Sequence, residues 1–236
     1  MLKVDDVSKS FGGLRVIDSF TMEVHPNQIV GIIGPNGAGK TTLFNIITGY
    51  LTPDRGQVTI NDHDITNQKP EKINRYGISR TFQLVKPFAN MTVLENVMIG
   101  AFSHTSKTSE AKKVASEYVE MVGLQDKALE KAGRLSLPER KQIELARALA
   151  TEPKFLFLDE VFSGLNPSEI EETIKLINRI RDLKKIAIIV IEHNVRVMSG
   201  ISDKVFVLHH GVNIAEGTPD EVLKNKEVIT AYLGSE

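Results

Sequence analysis

The amino-acid sequence predicts an α/β fold with a mostly parallel sheet, an antiparallel β flap and a helical insertion. Short, near-continuous apolar runs at residues 29–33, 155–158, 186–191 and 205–208 alternate with helical patterns, as strands buried on both faces of a parallel sheet do. The first part of the chain carries shorter strand-like pieces, at 2–7, 20–24 and 58–60, punctuated by Gly12-Gly13 and Asn61-Asp62. Those pieces suit antiparallel pairing through tight turns. From about residue 91 to 150 helical periodicity takes over, over 93–101 and 109–122, with no convincing strand.

Length and composition confine this fold to one module. A chain of 236 residues holds one large domain with a lobed insertion and is too short for a multidomain machine. The expected division sets a core of residues 1–84 and 151–236, which carries the sheet and the flap, beside a helical subdomain of residues 85–150. Apolar residues at 41% and charged residues at 25% are those of an ordinary globular protein and exclude a disordered or low-complexity chain. With no cysteine, disulfides, thiolate-held metals and a thiol nucleophile are all excluded, and an intracellular setting is favoured. The net charge of -1 supplies no general basic field, so a nucleic-acid partner is not expected and any bound phosphate must be held locally. The longest apolar runs, such as IAIIVI and FLFL, fall far below the roughly 18 residues of a membrane span. MLKVDDVSKS lacks the apolar stretch of a secretion signal, and the mature chain is expected to begin there.

Two helix starts follow from local chemistry. Thr218-Pro219-Asp220-Glu221 and Asn166-Pro167-Ser168-Glu169 each place a capping residue, then proline at the first helical position, then glutamate three residues after the cap. This is a capping box. The second of these helices is expected to run to about residue 181.

The strongest functional signal is Gly34-Pro35-Asn36-Gly37-Ala38-Gly39-Lys40-Thr41, followed by Thr42. It has the phosphate-loop spacing of glycine, four residues, glycine, lysine and a hydroxyl residue, after an apolar strand and before a helix that begins near Lys40. Glycines let backbone N–H groups wrap a phosphate, and the helix N-terminus adds partial positive charge. Lys40 is then expected to neutralise the β and γ phosphates of ATP, and Thr41 to ligate Mg²⁺. A second segment, Phe155-Leu156-Phe157-Leu158-Asp159-Glu160, is an apolar strand that ends in two carboxylates, the form of a Walker B segment. Asp159 is placed to hold Mg²⁺, and Glu160 to polarise an attacking water as general base. His193 follows the strand at 186–191 and should lie at the same end of the sheet.

These residues resemble the ATP-binding subunits of ABC transporters over essentially the whole chain. The resemblance implies a RecA-like P-loop ATPase core in the ABC ATPase fold. By that resemblance Phe11 in SKSFGG stacks on adenine, with Val16 and Thr42 among the nucleotide contacts. Gln83 in SRTFQ links Mg²⁺ to the transport partner, and His193 contacts the γ-phosphate. Ser163-Gly164-Leu165-Asn166 is similar to the loop that crosses to an opposite subunit. The stretches GISRTFQLVKPFANMTVLENVMIGAF and VIEHNVRVMSGISDKVFVLHHGVNIAEGTPDEVL are most similar to the branched-chain amino-acid importer subgroup, with urea importers and lipopolysaccharide exporters as neighbours.

One departure stands out. Where the family's signature reads Leu-Ser-Gly-Gly-Gln, this chain has Leu135-Ser136-Leu137-Pro138-Glu139. In the family this segment, here Ser136, Leu137 and Glu139, contacts the γ-phosphate held by the other subunit. Pro138 has no N–H to offer and Leu137 adds bulk. Ser136 with Glu139 also reads as a capping box that serves folding only, and both readings stand. A homodimer would inherit the altered signature at both sites, so the resemblance favours a heterodimer with a second ATP-binding subunit. It further implies integral-membrane permease partners, an indirect link to an extracytoplasmic solute-binding protein, and a peripheral position on the cytoplasmic face of the membrane. The alternatives are a soluble ABC ATPase and a nucleotide binder without turnover.

Overall fold

The computed structural model describes residues 1–82 and 86–233. Its elements in chain order begin with β1 (Leu2–Phe11), β2 (Leu14–Val24), β3 (Ile29–Ile33), α1 (Lys40–Ile47), β4 (Arg55–Ile60) and β5 (His63–Asp64). Then come α2 (Pro70–Arg75), β6 (Ile78–Arg80), α3 (Val93–Ala101), α4 (Thr108–Met121), α5 (Leu137–Leu149) and β7 (Phe155–Asp159). The chain continues with α6 (Pro167–Lys184), β8 (Ala187–Glu192), α7 (Val195–Ser199), β9 (Lys204–His209), β10 (Val212–Gly217), α8 (Pro219–Lys224) and α9 (Lys226–Leu233).

Two sheets form, as the two kinds of strand pattern predict. A six-stranded sheet runs β10-β9-β3-β8-β7-β6, parallel throughout except for β10, which pairs antiparallel with β9. The flap is a four-stranded antiparallel sheet in the order β2-β1-β4-β5. Every residue of β3, β7 and β8 is buried, and the period-2 alternation of a strand divides their side chains between two cores. Ile29, Ile33, Leu156, Leu158, Ile188 and Val190 join α3, α4 and α5 on one face. On the other face Val30, Ile32, Phe157, Ile189 and Ile191 join α1 and the flap. Edge-to-face packing of Phe44 on Phe157 at 4.9 Å seats α1 on the sheet.

Residues of the predicted helical segment form α3, α4 and α5, and Gly100 sets how closely two of them approach. A Cβ there would stand 2.0 Å from the Arg147 carbonyl oxygen. All three expected caps are in place: Glu169 on Asn166 at α6, Glu221 on Thr218 at α8, and Glu139 on Ser136 at α5. The first of these helices extends to Lys184, three residues past the expected end, and finishes on a left-handed Lys185.

Candidate active site

Register alone brings three turns together. Ile33 at the end of β3 pairs with Glu192 of β8, and Ile191 of β8 pairs with Asp159 of β7. The turns 34–39, 160–166 and 193–194 therefore open side by side at the carboxyl edge of the sheet, where α/β proteins bind ligands.

In the first turn Gly34, Gly37 and Gly39 have φ of +155°, +79° and +106°. A side chain would not fit, because a Cβ on Gly34 would lie 2.0 Å from the Leu208 carbonyl oxygen and one on Gly39 2.6 Å from that of Val16. Pro35 is half-buried, Asn36 and Gly37 form the exposed tip, and Ala38 is buried. Helix α1 begins directly after Gly39, with no side-chain cap and no acidic residue in its first turn. Its leading N–H groups and positive end are thus available to an anion. Lys40 is 7% exposed, and its Nζ donates to the carbonyls of Gly34 at 2.6 Å and Pro35 at 2.8 Å. Burial pushes the ammonium pKa down, against the opposing fields of Glu160, Glu192 and Asp159. Thr41 is exposed and Thr42 half-buried in the first turn of α1.

The acids come from the ends of β7 and β8 and from the turn after β7. Asp159 is buried, and burial raises its pKa while the Arg80 guanidinium, 3.0 Å from Oδ2, holds it down. Its Oδ1 is buried without a hydrogen-bond partner among the described residues. A buried, unsatisfied carboxylate oxygen is costly unless something else meets it, and a set of Asp carboxylate and Thr hydroxyl oxygens fits a hard cation such as Mg²⁺. Glu160 sits at φ +49°, a left-handed conformation that costs an ordinary residue about 1–2 kcal/mol. Three contacts hold that backbone. Its N–H donates to the Ile191 carbonyl at 3.1 Å, and its carbonyl accepts from the Ser163 N–H at 3.1 Å and from the Lys141 ammonium at 3.1 Å. The same ammonium also donates to the Val161 carbonyl at 2.9 Å. His193 is exposed, with Nδ1 3.9 Å from the buried Glu192 carboxylate. Burial raises the pKa of Glu192, and its Oε1 accepts from the Phe162 N–H.

The structure thus brings residues 34–42, Asp159, Glu160 and His193 to one edge, with the Val16 backbone against the loop. Phe11 ends β1 in the flap, 47% exposed, with the Lys9 ammonium 5.7 Å from its ring. Gln83 lies outside the described residues. Ser136, Leu137 and Glu139 open α5, where the Glu139 carboxylate accepts from both the N–H and the hydroxyl of Ser136 at 2.8 Å and pairs with Lys127. Those bonds hold Glu139 down to a pKa of about 2, so the N-terminus of α5 already faces an ionised carboxylate of its own chain. Leu137 is exposed beside Gly164, whose turn leads to Asn166, and the Asn166 side chain is engaged in capping α6. Sequence reading passed over Arg80, Lys141 and Glu192. Single charged residues look like solvated surface until a register or a helix face aims them inward.

A glycine-lined loop on a helix N-terminus, faced by strand-end carboxylates, defines a P-loop nucleoside triphosphatase. A family profile described as ABC transporter matches residues 17–163, and one described as branched-chain amino acid ATP-binding cassette transporter matches residues 212–236. The high-affinity branched-chain amino acid transport ATP-binding protein LivG of Escherichia coli K12 is 38% identical over 99% of this chain and 98% of its own. Among solved structures, the ADP conformation of MJ1267, an ATP-binding cassette of an ABC transporter, superposes with a TM-score of 0.91 at 32% identity, covering 100% of this chain and 99% of that one. A dimeric post-hydrolysis structure of the cassette MJ0796 with ADP and phosphate gives 0.81 at 25% identity over 93% and 99%. The chain belongs to the ABC transporter family, as an ATP-binding and ATP-hydrolysing subunit. Such subunits act with membrane permeases and pair with a second cassette. Among the described residues no helix is long and apolar enough to cross a membrane.

Proposed function

We propose that this ATPase binds ATP with Mg²⁺ on residues 34–42 and powers uptake of branched-chain amino acids through partner permeases, from the cytoplasmic face of the membrane. The observation that carries the nucleotide chemistry is the convergence of Lys40, Asp159 and Glu160 on one glycine-lined loop. The solute assignment is supported by the likeness to LivG and by the match over residues 212–236.

When bound, Mg²⁺ on Thr41, Asp159 and, by the family's pattern, Gln83 would neutralise charge on the triphosphate. Lys40 exchanges its two carbonyl acceptors for β- and γ-phosphate oxygens. Phe11 and Val16 receive the base. Glu160 accepts a proton from water as its oxygen bonds to the γ-phosphorus, and the bond to the β–γ bridging oxygen breaks, with its electrons leaving on ADP. His193 donates to the γ-phosphate. Glu192 fixes the Phe162 N–H and so the turn that carries Glu160.

The permease is given a groove of about 290 Å³ whose lining includes the exposed side chains of Tyr50, Phe82 and Ile99 together with Ser103. An apolar patch of this kind suits a protein partner. A solute-binding protein outside the membrane acts on the permease and not on this chain. The second cassette is a different chain, because Leu137, Pro138 and the ionised Glu139 leave the start of α5 poorly suited to a phosphate in trans.

Calorimetry with Mg-ATP tests the nucleotide assignment. Lys40→Ala should bind roughly 10- to 100-fold more weakly, as loss of a charge-assisted contact implies. Glu160→Gln should keep binding and lose turnover by about 10²-fold or more. Equal affinity in the wild type and Lys40→Ala, or undiminished turnover in Glu160→Gln, would overturn it. Uptake of labelled leucine, isoleucine or valine by proteoliposomes holding the assembled transporter tests the solute, and exclusive uptake of urea would refute it.

A further inference from the structure

Arg80 ends β6 at the floor of the groove, and every polar atom of its guanidinium is engaged. Nη2 donates to Asp159 Oδ2 at 3.0 Å, and Nη1 donates to Asn45 Oδ1 at 2.7 Å and Thr48 Oγ1 at 3.1 Å, both on or just past α1. Nε donates to its neighbour's carbonyl at Thr81. The pair is dry: the side chains of Arg80 and Asp159 are 8% and 2% exposed. On its other side the guanidinium lies 4.7 Å from the Phe82 ring centre and 5.3 Å from that of Tyr50. Those rings pack edge to face at 5.9 Å and stand exposed in the groove.

We propose that Arg80 is a positioning residue that joins the groove to the phosphate site. Its guanidinium fixes the Asp159 carboxylate so that Oδ1 faces the metal, while Tyr50 and Phe82 fix the guanidinium. A planar fork can meet Asn45, Thr48 and Asp159 at once and still stack on a ring; an ammonium can do only part of this. Pressure on either ring therefore displaces the cation, and with it the carboxylate. The proposal rests on the reading of Asp159 as a metal-holding group. It does not depend on what occupies the groove.

The test uses the full chain saturated with a non-hydrolysable ATP analogue, with Mn²⁺ as probe titrated by electron paramagnetic resonance. Loss of a side chain that orients a metal ligand weakens metal affinity about 10- to 100-fold. Arg80→Gln should fall in that range and Arg80→Lys should recover part of the loss. Phe82→Leu, which alters only an exposed ring, should weaken Mn²⁺ several-fold, while affinity for the nucleotide in EDTA stays within about twofold for all three. Phe82→Leu also covers the case in which the Arg80 variants do not fold. Asp159→Asn separates the two levels. If it leaves Mn²⁺ affinity intact, the metal reading fails. If it weakens Mn²⁺ while Arg80→Gln or Phe82→Leu binds the metal as the wild type does, the positioning role of Arg80 fails.

Discussion

Replacing Lys141 by methionine removes the ammonium that the Glu160 and Val161 carbonyls share. The bonds are 3.1 and 2.9 Å long, and a hydrogen bond to a charged group contributes about 1.5–3 kcal/mol. Burial already depresses the Lys141 pKa, with Glu192, Glu144 and Glu160 opposing, so part of that gain is offset by the cost of burying the charge. A net loss of stability on the order of 2 kcal/mol remains. The larger effect falls on geometry. Glu160 is held at φ +49° by the Lys141 ammonium together with the Ile191 carbonyl and the Ser163 N–H. Without the ammonium that restraint weakens, and a strain of about 1–2 kcal/mol favours partial relaxation toward the right-handed region. A displacement of about 1 Å in the carboxylate reduces kcat about 10²-fold, or about 2.7 kcal/mol of barrier. Phosphate release at saturating Mg-ATP should therefore fall far more than KM changes, and Lys141→Arg should restore most of the rate. A Lys141→Met protein that melts earlier yet keeps its kcat within twofold would refute the reasoning and leave Lys141 as a folding contact.

Three further outcomes follow from the same geometry. Glu139→Gln removes the Lys127 ion pair; because Glu139 has a folded pKa of about 2, below its unfolded value, its contribution is complete above about pH 4.5 and is lost as pH falls toward 2. With Lys127 43% exposed, the pair is largely screened by solvent, so urea midpoints of variant and wild type should differ slightly at pH 7 and converge as pH falls from about 4.5 to about 2. Gly100→Ala drives a methyl group to 2.0 Å from the Arg147 carbonyl, so α3 and α5 must part at a cost of about 2–3 kcal/mol, read as a melting temperature lower by roughly 5–10 °C. Restoring glycine at Leu137 and Pro138 together with Glu139→Gln should let the chain dimerise on ATP in a Glu160→Gln background, where the unaltered signature should not; sedimentation velocity reads the difference, and ATP-driven dimerisation without the restored glycines refutes the heterodimer.

The sequence showed what repeats a local rule and missed what depends on an edge or a partner. Strands β3, β7, β8 and β9 were readable because burial on both faces writes a continuous apolar run. β6 was missed, since a three-residue edge strand with the sequence Ile78-Ser79-Arg80 carries no pattern. β10 escaped for a related reason: as a half-exposed edge strand, VNIAEG mixes polar and apolar residues without a clean alternation. The phosphate loop and the Asp159-Glu160 pair were legible because their chemistry fixes residue types at fixed spacing. Arg80 and Lys141 follow no such rule, and each meets its partner across 79 and 19 residues of chain, respectively.

Those two cations matter together because of what they hold. Asp159 and Glu160 are adjacent in sequence, but Arg80 grips the side chain of the first from β6, whereas Lys141 grips the backbone of the second from α5. β6 belongs to the parallel sheet, and α5 packs with α3 and α4. A shift of α5 against the sheet would pull on Glu160 and leave Asp159 in place, while a push on Tyr50 and Phe82 would act on Asp159 alone. On the proposed roles, the metal-holding Asp159 and the proton-accepting Glu160 are thus set from two different surfaces, and hydrolysis would need both in place. The ATPase rate of the assembled transporter should accordingly respond additively in free energy to Phe82→Leu combined with Lys141→Met, and a coupling energy well above about 0.5 kcal/mol in a double-mutant cycle would show that the two acids are not set independently.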